Sequence, residues 1–193
     1  LYLEVTLKNS FSQTLAEDTY PFYIVKGDTA LLFNTDKKVY KQGETVTITG
    51  AVRNLAAIEA SGLALGVSRE ASGGGGQTVY AETFSVPAGG SHAFTATTTA
   101  DAEGSVTLTG TVTQSGSTLA EITDQYEVAS PKVTASVTTP DVVGNDPFTI
   151  NVEMKNEGKV DASIQYTVGS SQGNTIDNQT ITIPAGETRL VQS

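Results

Sequence analysis

The chain has 193 residues, 38% of them hydrophobic, with a formal charge of -10, no cysteine, no tryptophan and one histidine. Lacking cysteine, it has no disulfide, no thiolate chemistry and no cysteine-held zinc or iron–sulfur centre, and its acidity speaks against nucleic acid or an anionic membrane, which need clustered Lys and Arg. No run of eighteen apolar residues is present, so no membrane span is expected in this segment, and the first residues lack the basic, apolar and small-residue pattern of a signal peptide.

Apolar residues alternate with polar ones almost throughout. Leu3, Val5 and Leu7 begin the pattern, followed by Val46, Ile48 and Val52, then Leu63, Leu65 and Val67, then Val106 and Leu108. Phe148, Ile150, Val152 and Met154 continue it, and Ile181 with Ile183 closes it. A period of two is the signature of strands buried on one face, and no window shows the spacing of three and four that an amphipathic helix needs. Threonine fills many alternate positions (Thr45, Thr47, Thr49, Thr107, Thr109, Thr111), where a β-branched side chain suits a solvated pleat. Turn signals separate the strands at Gln42 to Glu44, Ser72 to Gly76, Pro87 to Gly90, Ala102 to Gly104, Gly144 to Pro147 and Pro184 to Gly186. Val86-Pro87-Ala88-Gly89 and Ile183-Pro184-Ala185-Gly186 are expected to form type I turns with proline in the second position. Phe22, Phe84, Phe94, Tyr126 and Phe148 fall at positions expected to face inward.

Three internal echoes set the architecture. Val46–Asn54 (VTITGAVRN) returns as Phe148–Asn156 (FTINVEMKN), Ser85–Phe94 (SVPAGGSHAF) as Thr182–Val191 (TIPAGETRLV), and Thr14–Glu17 as Thr118–Glu121 (both TLAE), at offsets of 102, 97 and 104 residues. A repeat of about a hundred residues means an array of similar units, each burying roughly 60 to 70% of the surface of its unfolded chain. The fold class is therefore read as all-β, with tandem immunoglobulin-like β-sandwich domains of about seven strands each. Residues 1–26 match the end of the middle unit and are expected to be the C-terminal strands of a preceding domain. Residues 27–130 form one complete sandwich, and 131–193 form the N-terminal part of a following one. Linkers of about four residues, Lys26 to Thr29 and Ala129 to Lys132, should hold neighbours in a restricted, extended orientation.

Asp36–Gly50, DKKVYKQGETVTITG, resembles the opening of bacterial macroglobulin-type and related immunoglobulin-like surface domains: a tyrosine, a basic residue and a Gly-Glu pair before the first long strand. The VPAG and IPAG turns, each followed by a polar residue and a strand, resemble the CARDB class of bacterial adhesion-related repeats. In the second copy VYKQGETV becomes DVVGNDPF, and the basic residue and Gly-Glu pair are lost. The resemblance implies an extracellular or cell-surface stalk, adhesin or filament component of a bacterium or archaeon.

Residues that could carry chemistry give little. Gly169-Ser170-Ser171-Gln172-Gly173 fits GxSxG, but a nucleophile elbow needs a helix after it, and a strand pattern follows. Gly73 to Gly76 lacks the Lys-Ser or Lys-Thr and the helix of a phosphate loop. Asp141, Asn145 and Asp146 in one turn, and Asp101 with Glu103 in another, offer oxygen ligands for calcium, though the spacing matches no defined loop. His92 is expected to be a solvated strand residue, and Asn178-Gln179-Thr180 is a glycosylation sequon. No catalytic, cofactor-binding or metal site is assigned, and the chain is read as a non-enzyme. The terminal pieces would each leave an apolar face and an open sheet edge, which soluble proteins avoid. The expected partner is therefore a neighbouring copy, head to tail in a homopolymer: residues 1–25 of one copy complete the sandwich begun by 132–193 of the next. Chain continuity within a longer array would make the same contacts. The alternative is a carbohydrate- or protein-binding accessory module of a secreted protein, with Tyr80 and Tyr166 as the aromatic contacts.

Overall fold

The computed structural model describes residues 2–8, 14–21, 27–72, 74–140, 148–169 and 173–192. All regular structure among them is strand, with no helix. A first hairpin pairs β1 (Tyr2–Lys8) with β2 (Thr14–Pro21). The middle region holds β3 (Thr29–Thr35), β4 (Val39–Lys41), β5 (Thr45–Asn54), β6 (Ala60–Ala71), β7 (Gln77–Val86), β8 (Ser91–Thr99), β9 (Gly104–Gln114) and β10 (Ser117–Ala129). The last region holds β11 (Val133–Thr138), β12 (Asn151–Asn156), β13 (Ala162–Gly169), β14 (Thr175–Ile183) and β15 (Thr188–Gln192).

The middle region is a sandwich. One sheet runs β3-β5-β8 and the other β4-β10-β9-β6-β7. Alternation does the sorting: along β5, Val46, Ile48 and Val52 are fully buried, and along β6, Leu63, Leu65 and Val67 are, so both sheets feed one core with Phe33, Tyr40, Phe94, Val106, Leu108, Val112 and Tyr126. Two strand glycines let aromatic rings lie on backbone. A Cβ at Gly110 would stand 2.5 Å from Phe33 Cε1, and one at Gly50 would stand 2.6 Å from Phe94 Cε1 and 2.5 Å from Leu32 O. The large rings of β3 and β8 thus take the volume that side chains at these positions would fill.

The proline turns close one residue later than the sequence suggests. Gly90 N–H donates to Pro87 O at 2.9 Å and Glu187 N–H to Pro184 O at 3.1 Å, so proline opens each turn. The third residues, Gly89 (φ 65°) and Gly186 (φ 75°), take the left-handed conformation of a type II turn, which only glycine adopts cheaply. Ser115 (φ 49°) and Gly116 (φ 81°) are both left-handed, the signature of a two-residue type I′ turn joining β9 to β10. The turn expected at Gly144 to Pro147 lies outside the described residues.

The pairing of the last region copies that of the middle. β12 joins β11 and β15 as β5 joins β3 and β8, with Met154 opposite Arg189 where Val52 stands opposite His92. β13 and β14 pair as β6 and β7 do, with Ile164 opposite Ile181 where Leu63 stands opposite Phe84. The register irregularity after Val67 recurs after Val168. The hairpin of β1 and β2 copies β9 and β10: Thr6 faces Glu17 as Thr111 faces Glu121, and the irregularity beside Leu7 recurs beside Val112.

The last region has a smaller core. Ile150, Val152, Met154 and Ile183 are buried together, with Val133, Ile164, Tyr166, Val168, Ile181 and Val191 packed partly against them. Phe148, expected inward, is 47% exposed and precedes β12, which begins only at Asn151. Phe22 lies outside the described residues. Between β10 and β11 only residues 130–132 intervene, a link as short as its composition suggests.

Candidate functional site

Two asparagines, last residues of the first internal echo, tie the corners of the two copies in the same way. Asn54 is buried at the end of β5; its Nδ2 donates to Ile58 O (2.7 Å), Val86 O (3.1 Å) and Pro87 O (3.2 Å), and its Oδ1 accepts from Ala56 N (3.0 Å). Asn156 does this at the end of β12: Nδ2 donates to Val160 O (2.9 Å), Ile183 O (3.0 Å) and Pro184 O (3.3 Å), and Oδ1 accepts from Gly158 N (3.0 Å). A buried carboxamide has two donor hydrogens and one acceptor oxygen, and here it serves three carbonyls gathered at the corner.

Around Asn156 lies the junction with the middle sandwich. Asn156 Oδ1 also accepts from Lys132 N at 3.3 Å, and Glu157 N–H donates to Lys132 O at 2.7 Å. The link runs so close that a Cβ at Gly158 would meet Lys132 N at 2.7 Å and Ser130 O at 2.9 Å. Lys159 Nζ reaches Glu127 of β10 at 2.7 Å, an exposed pair that orients more than it stabilises. Lys37, Val39, Lys41 and Glu44 on one side, with Val160, Asp161, Ser163 and Thr182 on the other, line a cleft of about 260 Å³ at this junction.

On the middle side, the Asp36–Gly50 stretch acts as a strap. Tyr40 is completely buried, and its hydroxyl donates to Asp36 Oδ1 at 2.7 Å while accepting from Lys37 N at 3.0 Å. Thr47 N–H donates to the same Asp36 oxygen at 2.8 Å; the tyrosine and this amide hold the Asp36 carboxyl below its usual range. Burial, then the bond to Asp36, pushes the Tyr40 phenol up to about 12. Glu44 accepts from Lys41 N (3.0 Å) and Lys37 Nζ (3.2 Å), closing a turn in which Gly43 has φ 86°. β4, between these groups, adds to the sheet by parallel pairing with β10, Val39 opposite Glu127.

The single histidine is not a plainly solvated residue. His92 on β8 stacks on Phe84 of β7 with ring centroids 4.1 Å apart, and its Nε2 lies 2.9 Å from Glu82 Oε2. Tyr80 donates to the same oxygen at 2.5 Å and stacks on Phe94 at 5.3 Å. The tyrosine and then the histidine hold Glu82 below the ordinary carboxylate range. β7 and β8 are edge strands of opposite sheets, so this half-buried cluster closes one side of the sandwich.

The other sequence candidates do not converge. The GxSxG stretch joins β13 directly to β14, strand to strand, and residues 170–172 themselves lie outside the described set. The glycine run joins β6 to β7 in the same way. Asp101 is paired with Arg69 at 2.5 Å, which holds its carboxyl low; Glu103 does not share that contact. Asp141, Asn145 and Asp146 lie outside the described residues, and among the described ones no three His, Cys, Asp or Glu side chains gather as metal ligands. Asn178 of the sequon is exposed on β14 and accepts from Gln165 Nε2 at 3.2 Å. Tyr166 is half-buried and donates to Asp177 at 2.7 Å. It packs partly against the smaller core, and Tyr80 is stacked on Phe94.

No protein-family model and no curated protein sequence matches the chain. Among solved structures it is similar to a CARDB domain from Pyrococcus furiosus, crystallised with di-metal ions, at TM-score 0.45 and 17% identity over 52% of this chain and 92% of that one. An alkylpurine DNA glycosylase of Pseudomonas fluorescens, bound to DNA with an abasic site analogue, is similar at TM-score 0.44 and 14% identity over 52% of this chain. This chain spans 30% of the glycosylase's length. The sporulation control protein Spo0M of Bacillus subtilis is similar at TM-score 0.40 and 12% identity, over 82% of this chain and 91% of that one.

Proposed function

We propose that the chain is a structural segment of an extracellular or cell-surface repeat array, a stalk, adhesin or filament, and not an enzyme. Its units are tandem immunoglobulin-like sandwiches with the boundaries 1–26, 27–130 and 131–193, and the two incomplete ones are completed by neighbouring copies, head to tail, or by continuity of a longer chain. One observation carries this reading: β11 to β15 repeat the pairing of β3, β5, β6, β7 and β8, and β1 with β2 repeats β9 with β10, so the two outer pieces hold complementary parts of one plan. The stiff junction at Gly158 supports it, since a backbone contact this tight fixes the direction of the next unit. The surface placement rests on the resemblance of Asp36–Gly50, whose residues serve here as a structural strap. The half-buried Tyr80 and Tyr166 favour the array over a carbohydrate platform, which needs rings open to a ligand.

Sedimentation equilibrium of the chain over rising concentration tests the proposal. Masses growing well beyond 20.1 kDa are expected. A mass of 20.1 kDa at every concentration would overturn copy-to-copy completion.

A further inference from the structure

The unpaired edges of β1 and β13 match in register as well as in kind. In the middle sandwich β6 lies between β7 and β9, with Leu65 opposite Val112, Gly66 opposite Thr111 and Val67 opposite Gly110. β13 has β6's place beside β14, yet among the described residues its other edge is unpaired, and β1 likewise pairs only with β2. The irregularity between Ala60 and Leu63 has no counterpart in β13, but the one after Val67 recurs after Val168 and the one beside Val112 recurs beside Leu7, which fixes the transfer: Tyr166, Thr167 and Val168 hold the places of Leu65, Gly66 and Val67, and Leu7, Thr6 and Val5 those of Val112, Thr111 and Gly110.

A second relation is steric. In the middle sandwich Phe33 lies on the backbone of Gly110, ring on glycine. The place of Phe33 is taken in the last region by Val137, which stands opposite Val152 as Phe33 stands opposite Gly50. Val137 is 63% exposed, and the residue holding Gly110's place is Val5 of the first hairpin. A large side chain on none becomes a medium one on a medium one, the exchange that conserves volume across a core contact. Val152, in the place of Gly50, takes up part of the volume within the same piece, and Val5, in the place of Gly110, takes up the part on the facing layer, which is a contact when the two terminal pieces share a core.

Resting on the array reading above, we infer that β1 of one copy adds antiparallel to the free edge of β13 of the next copy. Leu7 stands opposite Tyr166, Thr6 opposite Thr167 and Val5 opposite Val168, and Val5 packs under Val137. The occupant of the open edge is thereby a second copy of this chain, in one register.

The absence of native cysteine gives a clean test. Thr6 and Thr167 are both exposed, so Thr6→Cys in one preparation and Thr167→Cys in another leave each fold intact. Mixed under mild oxidation, the two are expected to give a disulfide-linked heterodimer in large excess over a mixture of Thr6→Cys with Ser163→Cys, four residues out of register. Sedimentation under reducing conditions runs alongside. Copies that associate but crosslink equally well, or better, through Ser163 would overturn the register and leave the array standing. Copies that neither associate nor crosslink would overturn the register and copy-to-copy completion together.

Discussion

The middle and last regions share a plan and differ in how much of it is closed. Both have the three-strand sheet, the β6-type hairpin and the buried asparagine corner, yet among the described residues the middle gathers eighteen buried apolar residues into its core and the last region four. The difference lies in β9, β10 and β4, which bring Val106, Leu108, Val112, Tyr126, Val128 and Tyr40 across from the facing layer. A facing layer of only two strands leaves apolar side chains such as Val137 in water, and burial at roughly 25 cal/mol per Å² is the main drive toward completing it.

The contrast can be broken most severely at the glycine–phenylalanine contact. Gly110→Val places a branched side chain where even a Cβ meets Phe33 at 2.5 Å, and it is expected to cost about 3 kcal/mol or more of middle-domain stability in urea melts. The double variant Gly110→Val with Phe33→Val reproduces the Val5 and Val137 pairing and should recover a substantial part of that loss. Failure of rescue would mean that the two copies do not solve this contact by exchange of volume.

Next in size is the asparagine corner. Asn54→Ala takes away the buried donor shared by the Ile58, Val86 and Pro87 carbonyls and should cost about 2 kcal/mol. Asn156→Ala should weaken the smaller region and also loosen Lys132, which it holds through Oδ1. Differential scanning calorimetry showing the same loss of the middle transition for both variants would contradict independent corners.

The smallest effect is alkaline. The Tyr40 phenol is raised in the fold from its ordinary 10.0 to about 12, so its contribution to stability is complete below pH 10 and is lost as pH rises through about 12. Absorbance at 295 nm should show Tyr40 and the likewise buried Tyr126 ionising only as the middle sandwich opens, and Tyr40→Phe should remove one tyrosine's share of that step. The aligned residue of the other copy is Val142, which does not titrate.

The strands were legible because one-sided burial writes a period of two, and the repeat made their partners legible as well. Other features were hidden for physical reasons. Hydrogen-bond closure decides a turn's frame, and Pro87 can begin a turn as readily as occupy its second position. Phe148 kept the alternation of its neighbours but stands ahead of β12, so its side chain has no sheet beneath it. The contact of His92 with Glu82 and Phe84 joins edge strands of opposite sheets, which local sequence cannot bring together. Asn54 and Asn156 stood in plain view at the ends of the matching segments. Their shared position was the signal, whereas a single asparagine before a loop would read as an ordinary turn residue.

The parallel pairing of β4 with β10 decides how the middle sandwich meets a pull on its two ends. Val39, Tyr40 and Lys41 lie beside Glu127, Val128 and Ala129 with both strands running the same way, so opposite tugs at the start and finish slide one strand along the other. All of those rungs then strain together instead of opening one after another, which makes this short ladder a brake on mechanical extension.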